Sequence, residues 1–252
     1  MTRIIMHGCN GRMGQMITSL AAEDKDIEIV AGIDISDHIS NPYPVFSKLS
    51  ECDVEADVVV DFASVKVIDE LLDVCVEKNL PVVVCTTGLS EEQVQKVHET
   101  SKHIPVLRSA NMSLGINVIQ DVLTKISELL STSGFDIEIV EKHHKMKKDA
   151  PSGTALALAD AVNAGLTVKK DYIYDRSDRL EARGDNELGI SAVRGGTIVG
   201  EHEVIFAGTD EVITIKHTAY SRAIFGKGAL SAAKFLATAK PGMYDMNAVV
   251  SK

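Results

Sequence analysis

The runs Val58-Val59-Val60, within ADVVVDF, and Val82-Val83-Val84, within LPVVVC, are apolar at consecutive positions rather than at alternate ones. Strands of that kind need cover on both faces, which a chain obtains by laying helices on either side of a parallel sheet. The neighbouring segments can supply them. Arg3–Met6 reads as a strand, Met13–Ala22 as a helix, Ile27–Ile33 as a strand, Val58–Phe62 as a strand, Val67–Lys78 as a helix and Pro81–Cys85 as a strand. Ser90–Ser101 reads as a helix opened by a capping box, Ser90 with Gln93 three residues on, and Ile104–Arg108 closes the series as a strand. The repeated strand–helix–strand units predict an α/β fold, a Rossmann-like doubly wound parallel sheet.

From Leu114 the pattern changes. Val118, Ile119, Val122, Leu123, Ile126, Leu129 and Leu130 keep helical spacing, FDIEIVEKHH alternates as a strand, and Thr154–Asn163 returns to helix. Residues 164–189 are polar and read as an extended loop or arm. ISAVRGGTIVGEHEVIFAGTDEVITIKHTA reads as several strands joined by Gly turns, without helices between them. That predicts a second α+β domain with a mixed or antiparallel sheet. A last helix, Ala229–Ala239, is expected to pack back onto the first domain. The expected division is 1–113 plus 222–252 for the doubly wound domain, and 114–221 for the second.

The chain has 252 residues and a formal net charge of −10, which disfavours nucleic-acid and anionic-membrane binding because phosphate repels it. Cys9, Cys52, Cys75 and Cys85 form no C-x-x-C pair, giving neither a zinc ribbon nor a disulfide framework. No run approaches the ~18 apolar residues of a membrane span, and the first residues are too polar for a signal peptide. A cytoplasmic protein is the expectation.

Gly8-Cys9-Asn10-Gly11-Arg12-Met13-Gly14 follows the first strand and opens the first helix. A dinucleotide pyrophosphate sits on N–H groups at a helix N-terminus, where glycine allows close backbone approach. Asn10 stands where the commoner fingerprint has its second Gly, and Asn tolerates the left-handed conformation better than most residues. Arg12, in the first helical turn, is expected to face phosphate. Asp34 lies 20 residues past Gly14 at the end of EIVAGID, where an acid grips the adenosine ribose. After it come Ile35, Ser36, Asp37 and His38, with no Arg or Lys for a 2′-phosphate. NADH is therefore the expected preferred cofactor, with NADPH possible.

His143-His144-Lys145-Met146-Lys147-Lys148 puts five basic residues in six positions of an acidic chain. Asp149-Ala150-Pro151-Ser152-Gly153-Thr154 then begins a helix, with Pro near the start and Ser or Thr as cap. Exposed N–H groups beside ammonium and imidazole make a site for a small anion, most naturally a carboxylate. Adjacent histidines in a regular strand point to opposite faces, so a two-His metal site is not expected. If both reach one ligand, the strand must end near His143. No metal is assigned.

The segment EIVEKHHKMKKDAPSGTA, with HGCNGRMG, VVDFAS, CTTG, SANMSLGINV and AVRGGTIVGEHEVIF, resembles the bacterial 4-hydroxy-tetrahydrodipicolinate (dihydrodipicolinate) reductase family of lysine and diaminopimelate biosynthesis. The resemblance spans essentially the whole chain. It implies a Rossmann-type domain plus a mixed substrate and tetramerisation domain, and hence a homotetramer. Gly8, Cys9, Asn10, Gly11, Arg12 and Met13 would bind the pyrophosphate and Asp34 the ribose. Cys85, Thr86 and Thr87, with Ser109, Ala110, Asn111 and Met112, would line the nicotinamide side. His143 would be the proton donor/acceptor and Lys147 the proton donor. His144, Lys147, Gly153 and Thr154 would bind the cyclic dicarboxylate substrate. Cys85 replaces the family's Gly, and Ala63 stands where Thr is usual. Two rival readings accompany this one: another nicotinamide-dependent dehydrogenase of a small acid, which as a thioester-forming enzyme would need Cys85 as nucleophile, and a non-catalytic NAD(H)-binding sensor.

Overall fold

The computed structural model describes residues 1–36, 38–109 and 111–250. Strand β1 (Thr2–His7) leads into α1 (Arg12–Ala22), β2 (Ile27–Ile33) and the two-residue β3 (Val45–Phe46). Next come β4 (Val58–Asp61), α2 (Ile68–Glu77), β5 (Val82–Val84), α3 (Glu91–Thr100) and β6 (Pro105–Arg108). The capping box is present, with Ser90 Oγ accepting from the Gln93 N–H and the Gln93 side chain accepting from the Ser90 N–H. Helix α4 (Leu114–Thr132) opens the second half, followed by β7 (Asp136–His143), α5 (Gly153–Ala164), β8 (Asp171–Ile173), β9 (Glu187–Arg194), β10 (Gly200–Gly208) and β11 (Glu211–Ala219). The chain ends with α6 (Ala223–Leu236), β12 (Gly242–Tyr244) and α7 (Met246–Val250). None of the described helices is long and apolar enough to cross a membrane.

Two compact units result, Met1–Leu114 with Ala223–Lys252, and Gly115–Arg222. In unit 1 all seven strands run parallel, in the order β12-β6-β5-β4-β1-β2-β3. Strand order reverses at β1, which pairs with both β2 and β4, and ligands of such sheets bind beyond the carboxyl ends at that reversal. Alternate residues of one strand serve opposite cores. Val58 and Val60 join the cluster of α1 and α6, whereas Val59 joins Leu72 and Cys75 of α2 on the other face. The consecutive valines are buried on both sides, as their pattern demands.

The helix expected at Ala229–Ala239 is α6, which begins earlier, at Ala223, and is not the last, since α7 follows it. Gly226 and Gly228 lower the helical signal there, but packing requires them. A Cβ on Gly226 would stand 2.8 Å from Leu20 Cδ1, and one on Gly228 would stand 1.6 Å from the Met112 carbonyl oxygen. Helix α6 thus packs on α1 within unit 1.

Unit 2 is a mixed sheet, β11-β10-β7-β9-β8, with β7, β8 and β9 mutually parallel and β10 antiparallel to β7 and β11. Its core gathers Ile137, Ile139, Leu188, Val204 and Phe206 from the strands with Leu123 of α4 and Leu158 of α5. The polar stretch 164–189 corrects the expectation of a plain arm, because it contains β8 and the start of β9. Three arginines fasten it to the sheet: Arg176 and Arg183 donate to Glu138, and Arg179 donates to Glu187. Hydrophobic periodicity is blind to an edge held by ion pairs.

Candidate active site

In unit 1, Gly8 follows β1 at φ +81°, and a Cβ there would lie 2.9 Å from the Phe62 carbonyl oxygen. A Cβ on Gly14 would lie 2.3 Å from the Gly8 carbonyl oxygen, so both glycines are dictated by contact. Gly11 is the N-cap of α1, with no side-chain cap and no acidic residue in the first turn. The helix therefore presents uncapped N–H groups and the positive end of its dipole. Asn10 does not take the left-handed conformation that asparagine tolerates. Its N–H instead donates to Asp34 Oδ2 at 2.9 Å, Asn41 Nδ2 donates to its Oδ1 at 2.7 Å, and its own Nδ2 donates to the Ser36 carbonyl. Asn10 is thus a strut between the turn and the end of β2. Asp34 Oδ1 accepts from the Ser36 N–H at 3.0 Å, which fixes the carboxylate.

A cavity of about 420 Å³ opens here, within the range of small-molecule sites, and Gly8, Gly11, Asp34, Lys48, Phe62 and Ala63 are among its walls. Arg12 is exposed at the first residue of α1 and Met13 is half-buried, whereas the Cys9 side chain is fully buried. Burial, then Asp34, pushes the Cys9 thiol up to about 11. Lys48 is a cation that reading onward from Asp34 misses. It reaches the cavity from the segment after β3, 14 residues further on.

At the carboxyl ends of the next strands, His7 Nδ1 and Asp61 Oδ1 pair at 2.7 Å, and the Ala63 N–H donates to the same oxygen. Asp61 Oδ2 and Thr86 Oγ1 are buried without a partner among the described residues. Burial and then Asp61 push the Cys85 thiol well up, which disfavours the thiolate. Thr87 is exposed, Ser109 Oγ donates to the Asn111 carbonyl, and Met112 is a core side chain. Ala110, like Asp37, lies outside the described residues. Orphaned polar atoms, a glycine cradle and an uncapped helix start together fit a dinucleotide.

Unit 2 contributes the second set. Strand β7 alternates, so Ile137, Ile139, Glu141 and His143 share its buried face. Glu141 has no exposed surface; it accepts from Arg194 Nη1 and Nη2, each at 2.7 Å, and from the Ser152 N–H at 2.9 Å, and its Oε2 lies 2.6 Å from His143 Nδ1. Burial alone raises its pKa, but the Arg194, His143 and Ser152 donors outweigh that and leave it below the ordinary value. The strand stops at His143, as a shared histidine site requires, and His144 begins the turn that carries Lys147. Lys147 Nζ pairs with Asp149 Oδ2 at 2.9 Å. Helix α5 is capped by Ser152, whose Oγ accepts from the Ala155 N–H and meets His202 Nε2 at 3.1 Å. Gly153 is exposed, with nothing within 4 Å of where its Cβ would stand. Glu141, Arg194 and His202 went unassigned in the sequence. Period-two reading back from His143 finds Glu141, but only the β7–β9 register sets Arg194 opposite His143.

Residues 2–112 match the family profile described as dihydrodipicolinate reductase, N-terminus, and residues 115–250 match its C-terminus. A 4-hydroxy-tetrahydrodipicolinate reductase of Caldanaerobacter subterraneus subsp. tengcongensis is 55% identical over 252 residues, covering 100% of this chain and 99% of the relative. One from Clostridium tetani is 50% identical over 251 residues, 100% of this chain and 98% of the relative. Among solved structures, dipicolinate-bound dihydrodipicolinate reductase from Paenisporosarcina sp. TG-14 superposes with a TM-score of 0.80 at 24% identity, covering 97% of each chain, a likeness of fold.

The buried histidine has a measurable consequence. Burial first, then the neighbouring His143, holds His202 down to about 4 against an ordinary 6.5. Between those values the unfolded chain binds a proton that the folded chain refuses, so stability falls as the pH drops through that window. Urea midpoints should show a loss of about 2 kcal/mol from this group between pH 7 and pH 5. A His202→Gln variant should lack that share of the slope. An unchanged slope would clear His202 of the effect.

Proposed function

Because the chain belongs to the dihydrodipicolinate reductase family, we propose that it reduces 4-hydroxy-tetrahydrodipicolinate, a ring bearing two carboxylates, in lysine and diaminopimelate biosynthesis. One observation carries the reading: in unit 2, a lysine and two histidines lead directly into an exposed helix start at Gly153 and Thr154. Such a constellation suits a carboxylate on a ring that must be protonated.

Unit 1 would hold a nicotinamide dinucleotide on the turn Gly8 to Met13, through the N–H groups of Arg12 and Met13 at the start of α1, and through Asp34, with Cys85, Thr86, Thr87, Ser109, Ala110, Asn111 and Met112 along the nicotinamide side. When bound, that cofactor supplies a hydride. In unit 2, the N–H groups at the start of α5, Thr154 and His144 would grip carboxylate. The Lys147 ammonium, held by Asp149, would both attract the dianion and donate the ring proton. Asp149 is itself held below the ordinary carboxylate range by Lys147, which keeps it ionised as a counter-charge. His143 would give or take a proton beside it.

The rivals lose support on specific grounds. A thioester-forming dehydrogenase needs a reactive thiolate, which burial disfavours at Cys85. A cofactor sensor leaves the Lys147 turn and the exposed Gly153 at the start of α5 without a task.

Lys147→Ala should lower turnover by about 10² to 10⁴, the scale of a lost general acid, and Thr154→Val should mainly raise KM. Consumption of the reduced nicotinamide, followed by absorbance with freshly generated 4-hydroxy-tetrahydrodipicolinate, reads both; near-normal turnover in Lys147→Ala refutes its role.

NADH is the preferred cofactor in this reading, since Asp34 repels a 2′-phosphate. Lys48, in the same cavity, makes NADPH usable. Lys48→Ala should cut kcat/KM for NADPH about fivefold, the worth of one exposed ion pair, and spare NADH. Equal losses with both cofactors would remove Lys48 from the distinction.

We also propose a cytoplasmic homotetramer built through unit 2, whose sheet leaves Val193 and Val212 exposed. Sedimentation equilibrium should return the mass of four chains, and a monomer at micromolar concentration would refute it.

A further inference from the structure

A carboxylate out of contact with water is costly unless every lone pair has a donor, and one charge partner alone seldom repays the burial. Glu141 meets that demand with two N–H groups of Arg194, the Ser152 N–H and His143 Nδ1. An ionised carboxylate only accepts hydrogen bonds. The 2.6 Å contact between Glu141 Oε2 and His143 therefore requires the proton to sit on Nδ1. Three further partners of Glu141 are donors, so this is the only sense in which the contact can run.

The other ring nitrogen is free of this constraint. Nε2 has no hydrogen-bond partner among the described residues and points at Gly200, where a Cβ would stand 3.0 Å away. His202 approaches the ring edge-on at 5.1 Å between centroids, and its own Nε2 is occupied by Ser152. Arg194 also donates to the Asp149 carbonyl at 2.6 Å, so the guanidinium that holds Glu141 ties down the turn carrying Lys147.

We propose that Glu141, clamped by Arg194, is a positioning residue that keeps a proton on His143 Nδ1 and makes Nε2 the nitrogen through which His143 exchanges a proton in the reduction. The assignment rests on His143 being the proton donor/acceptor of the proposed activity. Glu141 does not itself touch substrate. It acts by fixing the tautomer and the ring plane, as an orienting carboxylate does for other catalytic imidazoles.

Histidine-selective ¹⁵N labelling tests this without any substitution, with the His143 signals assigned by their absence from His143→Gln. Neutral His143 of the wild-type chain should show a protonated Nδ1 and an unprotonated Nε2. The reverse pattern overturns the proposal. Glu141→Gln keeps the shape but places an amide NH₂ among donors, and should lower kcat about 10- to 100-fold, leave dinucleotide affinity unchanged and scramble the tautomer signature. A folded Glu141→Gln protein with wild-type kcat overturns it too. If that variant fails to fold, the wild-type spectrum decides. Absence of reductase turnover by the wild-type chain would instead strike the parent activity, a result separate from the ring-nitrogen pattern.

Discussion

The ionised Glu141 carboxylate, sealed inside unit 2, is the constraint around which the second half is arranged. Its donors come from three separate elements: β7 itself, the end of β9 and the cap of α5. Remove any of these and a charge is left buried and under-satisfied, a far larger penalty than the loss of one surface ion pair. The network therefore fixes where β7 ends and how α5 begins. Those two boundaries define the turn bearing His144 and Lys147. The Lys147 ammonium and the exposed Gly153 at the helix start thus stand beside a rigid polar base.

Unit 1 solves a different problem, that of presenting backbone donors to an anion. The glycines that matter do so by subtraction, since any Cβ at Gly8 or Gly14 would strike backbone. Asn10 shows that the fingerprint tolerates a substitute when the substitute has a structural task. With its N–H on Asp34 and its amide between Asn41 and Ser36, it braces the segment that carries Asp34. In the proposed reading, selectivity between the two dinucleotides would depend on groups at the rim, Asp34 and Lys48, rather than on the turn.

Much of this was legible beforehand because the signals are local. The valine runs announced strands covered on both faces, Ser90 and Gln93 announced a helix start, and the basic run followed by Pro-Ser-Gly-Thr announced the end of a strand and the start of the next helix. What escaped was non-local or ran against propensity. Gly226 and Gly228 look like helix breakers until α1 and Met112 are seen pressed against them. Residues 164–189 look like a free arm until Arg176, Arg179 and Arg183 are seen anchored on acids of β7 and β9.

The chain's order of residues alone determined the doubly wound sheet, the dinucleotide turn with its distant acid, and the kinship of the whole chain, since periodicity and motif spacing are properties of neighbours along the backbone. Strand pairing decided the rest. Only the register of β7 with β9 brings Arg194 across to Glu141, and only the path after β3 delivers Lys48 to the cavity with Asp34. Hydrogen bonds and ion pairs act over about 3 Å of space, whatever the distance along the chain.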